Sequence, residues 1–541
     1  MKIYKLLSIG VAGLLLSACN QIDEQDPMGG ELTAAQLKDV NLIEPSRAEA
    51  TFGGMFSMMG QPCYTFGTGQ GRADDFGFIA MALSQDTEGP DATSDDSGYN
   101  WFSTCGEYTS RQVTYANPRL RYSMPYNQIN IANEILSQFA DRDDEDAINK
   151  KAQARAIRAF DYMALAPYFQ FNYQTSKDKP CVPIVTPETP DPATNPRATV
   201  GEVYELIMSD LNYAVENLTN ERTDKSRINQ QVAYGLRARA NLAMGNWAEA
   251  AADAEKAAAG YTPYSIEEVS TPSFYDIKDH SWIWGIDVTK DMVIDWPYQT
   301  SCSWIGSFSA NAYAAAVAVY LRINVLLWNK IPETDVRKGW WVDENLHSPL
   351  LSTISWAGVT GDAISTLEID DVKMAFQPYT NVKFGMMSGI GSDVNDNDFP
   401  LMRVEEMILI QAEGLAKSGQ EGRAREILEN FVKTYRDPEY NVNGRGLSLE
   451  NEIWFQRRVE LWGEGFGLSD CMRLQKPIVR FHDDKSNYPA AFRFNIPADD
   501  PWLLMRFPQS ETNANLSIVD NKGGQTPEQD QHPELRDGVT D

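Results

Sequence analysis

The sequence predicts a mainly α-helical protein in which paired helices form a repeat scaffold around a large, irregular, loop-rich insertion with short strands. Residues 125–138 and 147–171 place apolar and small side chains at helical spacing. Two helix–turn–helix units, at about 229–259 and 401–430, carry small and aromatic residues at matching positions. Between these units, residues 260–397 are rich in Trp, Ser, Gly, Asp and Pro, which is typical of loops rather than repeats.

The N-terminus has the layout of a lipoprotein signal. Two lysines precede an apolar run from Leu6 to Leu16, and Ser17-Ala18 stand directly before Cys19. A basic start, a short apolar core and small residues before the cut are typical of a secretory signal peptide. A cysteine at the cut is what lipid attachment requires, so we expect a signal peptide over 1–18 and lipidation of Cys19. The alternative is a chance cysteine beside an ordinary signal peptide.

The segment after the cysteine, residues 19–45, begins with a polar, acidic and glycine-containing stretch. Such a composition buries little apolar surface and predicts a flexible leash ahead of a single body at 46–541. The formal net charge of the whole chain is −29, which repels nucleic acid and anionic surfaces. We therefore expect no nucleic-acid partner. No second apolar stretch approaches 18 residues, so the sequence predicts no other membrane-crossing segment.

Helical signals follow one another along the body. Residues 125–138 place Ile129 and Ile135 on one face, and 147–171 combine alanines with aromatic residues at one-turn spacing. Thr199 and Glu202 have the spacing of a capping box, which predicts a helix running to about Asn217.

The next helix pair indicates the architecture. Residues 229–244 and 247–259 flank a Gly245-Asn246 turn, and Gly245 is expected to supply a left-handed cap. This unit resembles a tetratricopeptide repeat, with a second copy at 401–430. The positions that carry the resemblance are Leu242, Gly245, Trp247 and Ala250 in the first copy, and Ala412, Gly414, Leu415 and Gly419 in the second.

Four segments together resemble the SusD/RagB family of outer-membrane nutrient-binding lipoproteins, in the order in which that family carries them. They are residues 153–169 with Val182-Pro183-Ile184, residues 202–211 with 227–256, residues 398–413, and residues 456–473, and an ending similar to the family's follows at 507–515. The chain departs from the family's pattern in the fourth segment. There Phe466-Gly467 replaces a His-Arg pair, and Gln456 replaces a Glu.

The resemblance implies a SusD-like body whose scaffold lies mainly at 125–260 and 398–480, with ligand-binding loops at about 61–123 and 260–397. It implies a lipid-anchored protein on the outer membrane, exposed at the cell surface. Such a protein binds a glycan and delivers it, without catalysis, to a SusC-like TonB-dependent transporter on which it sits as a lid. The identity of the glycan and the stoichiometry with the transporter stay open.

Aromatic side chains in the two loop regions are the candidate glycan contacts, since rings stack on sugar C–H faces and amides bind hydroxyls. In SusD-like proteins the first region supplies such contacts. Asp74, Asp75 and Asp86 lie upstream and could shape the same face, whereas Trp340 and Trp341 are weaker candidates because an adjacent pair could bury one ring. The candidates are Tyr99, Asn100, Trp101 and Tyr108 in the first region, and Trp296, Tyr298 and Trp304 in the second.

The fourth segment concentrates charge on or beside one helix, through Arg457, Arg458, Glu460, Glu464 and Asp470. Charges inside a large helical body must be paired. We interpret them as a structural clasp; the alternative is a catalytic carboxylate pair.

The sequence contains only weak patterns for a metal site or for disulfide bonds. The four histidines are not paired at ligand spacing, and no Cys-x-x-Cys pair occurs, so we expect no metal site. Asp393–Asp398 resembles the start of a calcium loop but lacks the required glycine and final glutamate, so we interpret it as a turn and keep calcium as an alternative. Five cysteines follow Cys19, and the sequence does not give their pairing.

Three other functions remain open. The ligand could be a peptide, as in the RagB branch of the family. The protein could be a glycoside hydrolase, which needs two carboxylates across a cleft. It could also be a helical-repeat adaptor that binds only a protein partner. No nucleophile elbow, phosphate loop or His-Glu-x-x-His motif appears, so we expect no enzymatic activity.

Overall fold

The computed structural model describes residues 45–67, 71–523 and 527–541. The chain divides into two compact units, Met1–Phe52 and Gly53–Asp541. Of the first unit, only the opening turns of a helix that begins at Pro45 are described. The predicted signal peptide, Cys19 and the leash up to residue 44 lie outside the described residues, and the architecture below is that of the second unit.

Helices account for most of the regular structure. In chain order they are α1 (Pro45–Ser57), α2 (Gly77–Glu88), α3 (Ser103–Gly106), α4 (Ala116–Gln138), α5 (Glu145–Phe169), α6 (Tyr173–Ser176), α7 (Val200–Asn217), α8 (Gln230–Met244), α9 (Trp247–Ala258), α10 (Ile266–Val269), α11 (Lys290–Val293), α12 (Ser301–Trp304), α13 (Tyr313–Ala316), α14 (Val325–Trp328), α15 (Ala363–Thr366), α16 (Val404–Lys417), α17 (Glu421–Tyr435), α18 (Leu449–Glu460), α19 (Gly467–Leu474) and α20 (Gln509–Ala514).

The long helices pack as a continuous stack. Helix α4 packs on α5, α5 on α7, α7 on α8, and α8 on α9. Helix α9 then packs on α16, although the whole insertion separates them in the chain, and α16 packs on α17. Each helix buries its apolar face mainly against its neighbours, as in helical-repeat proteins. The predicted fold class, a mainly α helical-repeat scaffold with a loop-rich insertion, is confirmed.

Glycines allow the two repeat units to pack closely. Gly245 ends α8 in the left-handed conformation, with φ +83°, as the sequence predicts. Gly414 lies in the middle of α16, where an added Cβ would come within 2.4 Å of the Trp247 carbonyl oxygen. A side chain at position 414 would therefore push α16 away from the start of α9.

The start of α7 agrees with its predicted capping box, whereas the start of α4 differs from the predicted one at Pro125. Helix α7 runs from Val200 to Asn217, and the Thr199 and Glu202 side chains form the predicted reciprocal capping box. Helix α4 begins at Ala116, nine residues before the predicted start, with Pro125 in its interior. The prediction is based on the apolar face of residues 125–138, and this periodicity does not reveal the turns before the proline. The aromatic packing of Tyr122 against Phe169 and Phe507 accompanies the extra turns.

Short antiparallel ribbons supply the strands. They are β1 (Ala92–Thr93) with β5 (Arg322–Ile323), β2 (Pro180–Pro183) with β3 (Arg197–Thr199), β4 (Trp282–Ile286) with β8 (Phe399–Arg403), and β6 (Ser355–Trp356) with β7 (Val359–Thr360). The β4–β8 ribbon is fully buried and pairs Trp282 with Arg403. It joins the start of the insertion to its end and so closes the insertion onto α16.

A buried ionic network ties the insertion to the scaffold. Glu460 at the end of α18 accepts from Arg436 at 2.7 Å, and from Arg403 and Arg337 at 3.2 Å each. Burial alone would raise the pKa of Glu460, but the three guanidinium groups hold it well below its usual range. Because Arg337 belongs to the insertion, the carboxylate acts as a clasp between the two parts.

The remaining charges of the fourth segment are also paired, mostly with distant residues. Arg457 binds Asp470 at 2.8 Å, whereas Arg458 binds Asp91 and Asp537 at 2.6 Å each. Glu464 binds Lys383 and Arg403 at 2.8 Å each. These contacts support the structural interpretation of this segment, and most partners come from elsewhere in the chain.

The cysteines of the described residues are free thiols, with four buried and Cys63 partly exposed; they are Cys63, Cys105, Cys181, Cys302 and Cys471. Burial raises the pKa of the Cys105 and Cys181 thiols to about 12. Within the described part of the chain, no helix has both the length and the apolar character needed to cross a membrane.

Candidate functional site

The two predicted aromatic segments meet at a residue that the sequence analysis missed. The indole N–H of Trp101 donates to the hydroxyl of Tyr313 at 3.0 Å. The Tyr313 ring stacks on Trp304, with centroids 5.1 Å apart and planes 24° apart. Tyr313 and Tyr298 form a T-shaped ring pair, and Tyr298 forms another with Trp296. We call Trp296, Tyr298, Trp304 and Tyr313 the ring cluster.

Trp101 also lines an open cleft of about 260 Å³. Guanidinium, carboxylate, hydroxyl and aromatic groups line this Trp101 cleft, from Arg72, Asp74, Trp101, Ser103, Thr104 and Tyr115 among others. A cleft with a flat ring and several hydrogen-bonding groups suits a polar ligand that also has an apolar face.

Arg72, another residue that lines the cleft, contacts the ring of Trp101. Its Cζ lies 5.1 Å from the Trp101 ring centroid and 4.9 Å from that of Phe66. Its Nε and Nη2 donate to Asp74 at 2.9 and 2.7 Å. The ion pair neutralises both charges locally and restrains the guanidinium, so Trp101 is held between Arg72 and Tyr313.

Asn100 folds the loop that carries Trp101. Its amide donates to Ser94 Oγ and to the Asp95 carbonyl at 2.8 Å each, and its carbonyl accepts from the Phe102 N–H at 3.0 Å. The next ring, Phe102, packs edge-on against Trp304 at 5.0 Å. These hydrogen bonds hold the side chain of Asn100 within its own loop, which positions Trp101.

Burial separates the predicted contacts into two groups. Tyr99 is 62 % exposed beside the cleft residues Gly98 and Asn100, and Trp101, Trp296 and Tyr298 are partly exposed. Trp304 is 1 % exposed, and its ring stacks on that of Tyr313. Tyr108 is 3 % exposed and donates to the Glu88 carbonyl at 2.7 Å. As ligand contacts, Tyr108 and Trp304 are corrected by the structure, because both rings are in the core.

Two family models match separate parts of the chain. Residues 79–242 match a family model described as starch-binding associating with outer membrane. Residues 371–523 match the model of the SusD family. The chain belongs to the SusD/RagB family.

Two curated relatives match part of this SusD/RagB-family protein. A SusD-like protein of Bacteroides ovatus is 27 % identical over 144 residues, which is 26 % of each chain. SusD-like protein P38 of Formosa agariphila is 30 % identical over 135 residues, which is 22 % of this chain and 26 % of the relative. The aligned part is thus about a quarter of the length of each relative.

Solved structures share the fold over nearly the whole chain. A SusD-like carbohydrate binding protein from Bacteroides vulgatus has a TM-score of 0.68 at 24 % identity, and the match covers 88 % of this chain and 97 % of that one. A structure described as a laminarin binding SusD-like protein has a TM-score of 0.58 at 18 % identity, with 88 % and 99 % covered. These similarities show the SusD fold.

The three acidic residues upstream of Trp101, Asp74, Asp75 and Asp86, do not share one face in this family member. Asp74 lines the cleft, and Asp75 accepts from the Thr65 N–H and hydroxyl at 2.8 and 2.7 Å, which holds the segment before the cleft. Asp86 instead accepts from the Gly465 and Gly467 N–H groups at 2.8 and 3.1 Å. Burial raises the pKa of Asp86 to about 7. Asp86 therefore joins α2 to α19 and does not shape the binding face.

The other candidates of the insertion also have structural contacts. Trp340 and Trp341 are both buried, and the Trp340 indole donates to the Val269 carbonyl at 2.9 Å. In the segment Asp393–Asp398, the Asp398 carboxylate accepts from the Ile277 and Val288 N–H groups at 2.8 Å each. Burial raises the pKa of Asp398 to about 7. The segment has a bend at Asp393 and no turn over 394–398, so it is an irregular loop that these hydrogen bonds hold against the insertion, and not the predicted turn.

Proposed function

We propose that this protein is a non-catalytic cell-surface lipoprotein that binds a glycan in the Trp101 cleft and delivers it to a SusC-like TonB-dependent transporter. The observation that carries the proposal is the position of Trp101, held between Tyr313 and Arg72 at an open cleft. A fixed ring offers a stacking surface for the C–H face of a sugar without a large loss of side-chain freedom. The polar groups around it can bind the hydroxyls.

The comparisons support an uncharged glucan as the first ligand to test. One matched family model is described as starch-binding, and one structural neighbour as laminarin binding. Starch and laminarin are both uncharged glucose polymers. The ion pair between Arg72 and Asp74 leaves the cleft locally neutral, which suits such a ligand better than a charged one.

The charge pattern of the cleft supports binding without hydrolysis. A glycoside hydrolase needs two carboxyl groups that flank the scissile bond, one of them a proton donor. Among the described residues that line the cleft, Asp74 is the one carboxylate, and Arg72 pairs with it at 2.7 Å. A single carboxylate does not supply the pair of carboxyl groups that this hydrolysis needs.

Delivery depends on the predicted anchor. A lipid on Cys19 would keep the binding body close to a transporter in the same membrane, which raises the effective concentration without new contacts. Capture by the cleft and handover by proximity are then separate steps, and each can be tested alone.

Isothermal titration calorimetry tests the binding step. Starch oligosaccharides, laminarin oligosaccharides and a tryptic casein digest would be titrated into the folded body, with reducing-sugar release measured in parallel. We expect heat from at least one glucan and no sugar release. Binding of the peptides alone would instead support the RagB-type function. Sugar release that Asp74→Asn abolishes would show a hydrolase, and binding of neither class would favour the adaptor.

A further inference from the structure

A second polar contact ties the Trp101 loop to the insertion, at the start of the loop. The Asp95 carboxylate accepts from Arg322 Nη2 at 2.9 Å and from the side-chain amide of Gln377. These donors lie 227 and 282 positions later in the chain, on the same insertion that carries Tyr313. The insertion therefore contacts the loop near both of its ends.

The two donors are themselves held in place. Arg322 is 9 % exposed and pairs with Thr93 across the β1–β5 ribbon. Arg322 also forms an antiparallel bridge with Thr380, whose N–H donates to the Gln377 carbonyl at 3.1 Å. A buried guanidinium needs a counter-charge, and Asp95 is the one carboxylate that pairs with it among the described residues. The ion pair is therefore a fixed point of the loop, although Asp95 is partly exposed.

Two hydrogen bonds link Asp95 to the backbone around Trp101. The Asp95 carbonyl accepts from the Asn100 amide at 2.8 Å, and the Asn100 side-chain carbonyl accepts from the Phe102 N–H at 3.0 Å. Trp101 lies between the two residues that the second hydrogen bond joins. A displacement of Asp95 would thus reach Trp101 through Asn100.

We propose that Asp95 is a positioning residue of the glycan site, which fixes the loop that presents Trp101 to the ligand through its contacts with Arg322 and Gln377. The inference rests on the proposed function, because it concerns the same site. Asp95 is not among the described residues that line the cleft, so it acts through the loop and not by contact with the glycan. A charge-assisted hydrogen bond is about twice as strong as a neutral one, so Arg322 should contribute more than Gln377.

The indole N–H of Trp101 reports the position of the ring without any ligand, because it donates to Tyr313. Its hydrogen exchange would be followed by NMR of protein with isotope-labelled tryptophan, with Trp101→Phe to assign the signal. Asp95→Asn removes the charge at similar size, and Gln377→Met removes only the second donor. We expect exchange to accelerate about tenfold in Asp95→Asn and about threefold in Gln377→Met. Unchanged exchange in both folded variants would overturn the proposal.

Asp253→Asn is the matched control for loss of an ion pair. Asp253 in α9 accepts from Arg237 in α8 at 2.7 Å, and neither residue is among those that line the cleft. This variant should lower the melting temperature without changing the indole exchange of Trp101. If Asp253→Asn accelerates the exchange as much as Asp95→Asn, the effect is a general loss of stability and the proposal is wrong.

Calorimetry with the glucan that binds best connects the position of the ring to binding. We expect Asp95→Asn to weaken this glucan about fivefold, with the control variant at wild-type affinity. Unchanged affinity in a variant whose indole exchange has accelerated would contradict a role of Asp95 in binding. If the wild type binds no glucan, the proposed function fails, whereas the indole exchange still decides whether Asp95 positions the ring.

Discussion

The indole N–H of Trp101 donates a 3.0 Å hydrogen bond to the hydroxyl of Tyr313, which lies 212 residues later in the chain. The loop before α4 and the insertion after α9 thus meet through aromatic side chains at the candidate glycan site. Because Tyr313 also stacks on the buried Trp304, its hydroxyl has a fixed position. The orientation of Trp101 therefore depends on the insertion as well as on its own loop.

Tyr313→Phe tests whether that hydrogen bond orients Trp101. The variant keeps the ring that stacks on Trp304 and removes only the acceptor for the indole. If this hydrogen bond contributes about 1 kcal/mol to the binding free energy by orienting Trp101, its loss should weaken glycan binding about fivefold. Calorimetry with the best ligand of the glucan panel would measure it. Unchanged affinity in Tyr313→Phe would show that the Trp101 loop holds the ring without help from the insertion.

The sequence predicted which segments carry candidate aromatic residues, but not which of their rings are exposed. Tyr99, Trp101, Trp296 and Tyr298 were predicted from local aromatic density, and the structure leaves them at least partly exposed. Aromatic density does not distinguish a surface ring from a core ring, which is why Tyr108 and Trp304 were wrongly included. Tyr313 stands alone in an alanine-rich stretch, so only its contact with distant residues reveals its role.

Gly414→Ala tests the close packing between the two repeat units. Alanine normally stabilises a helix interior relative to glycine, but here its Cβ would lie 2.4 Å from the Trp247 carbonyl oxygen. We expect a net loss of about 1–3 kcal/mol in the free energy of unfolding, measured by urea denaturation. Gly422→Ala is the matched control, because it lies in α17 with open space around it. It should gain about 0.4–1 kcal/mol, and equal effects at both positions would contradict the packing argument.

The scaffold was predictable because its signals are local. The Thr199 capping box and the Gly245 cap each depend on a few neighbouring residues, and both are confirmed. The clasp at Glu460 could be foreseen as buried and paired, but not its partners. Arg337 and Arg436 come from distant segments, and no sequence spacing links them to α18.

Glu413 should make stability depend on pH in the acid range. Burial alone would raise its pKa, but Arg473 and Lys417 lower it to about 2, from an ordinary value of 4.5. The unfolded chain therefore binds a proton that the folded chain does not between these values, and stability is lost as pH falls through this window. The advantage of the wild type over Glu413→Gln should shrink there by up to about 3 kcal/mol. Urea denaturation from pH 6 downward measures it, with exposed Glu426→Gln as the control. A pH-independent difference would contradict the assignment.

Cys19→Ala separates capture from delivery. The cleft does not involve the predicted anchor, so the purified variant should bind the glycan with unchanged affinity. In cells, we expect loss of the protein from the membrane fraction and impaired uptake of the glycan, because the tether no longer keeps the cleft near the transporter. Fractionation and growth on the glycan as carbon source would measure the two effects. Equal uptake with the unanchored protein would argue against the role of the tether.

The most direct test of the account is glycan affinity in Trp101→Ala, with Trp328→Ala as a control. Trp328 is also partly exposed, but it contacts Lys338 and Tyr379 away from the cleft. We predict that Trp101→Ala weakens binding at least about tenfold, as expected for loss of a stacking ring and its contacts. The melting temperature should change little, and Trp328→Ala should bind normally. Wild-type affinity in a folded Trp101→Ala variant would contradict the assignment of the Trp101 cleft as the glycan site.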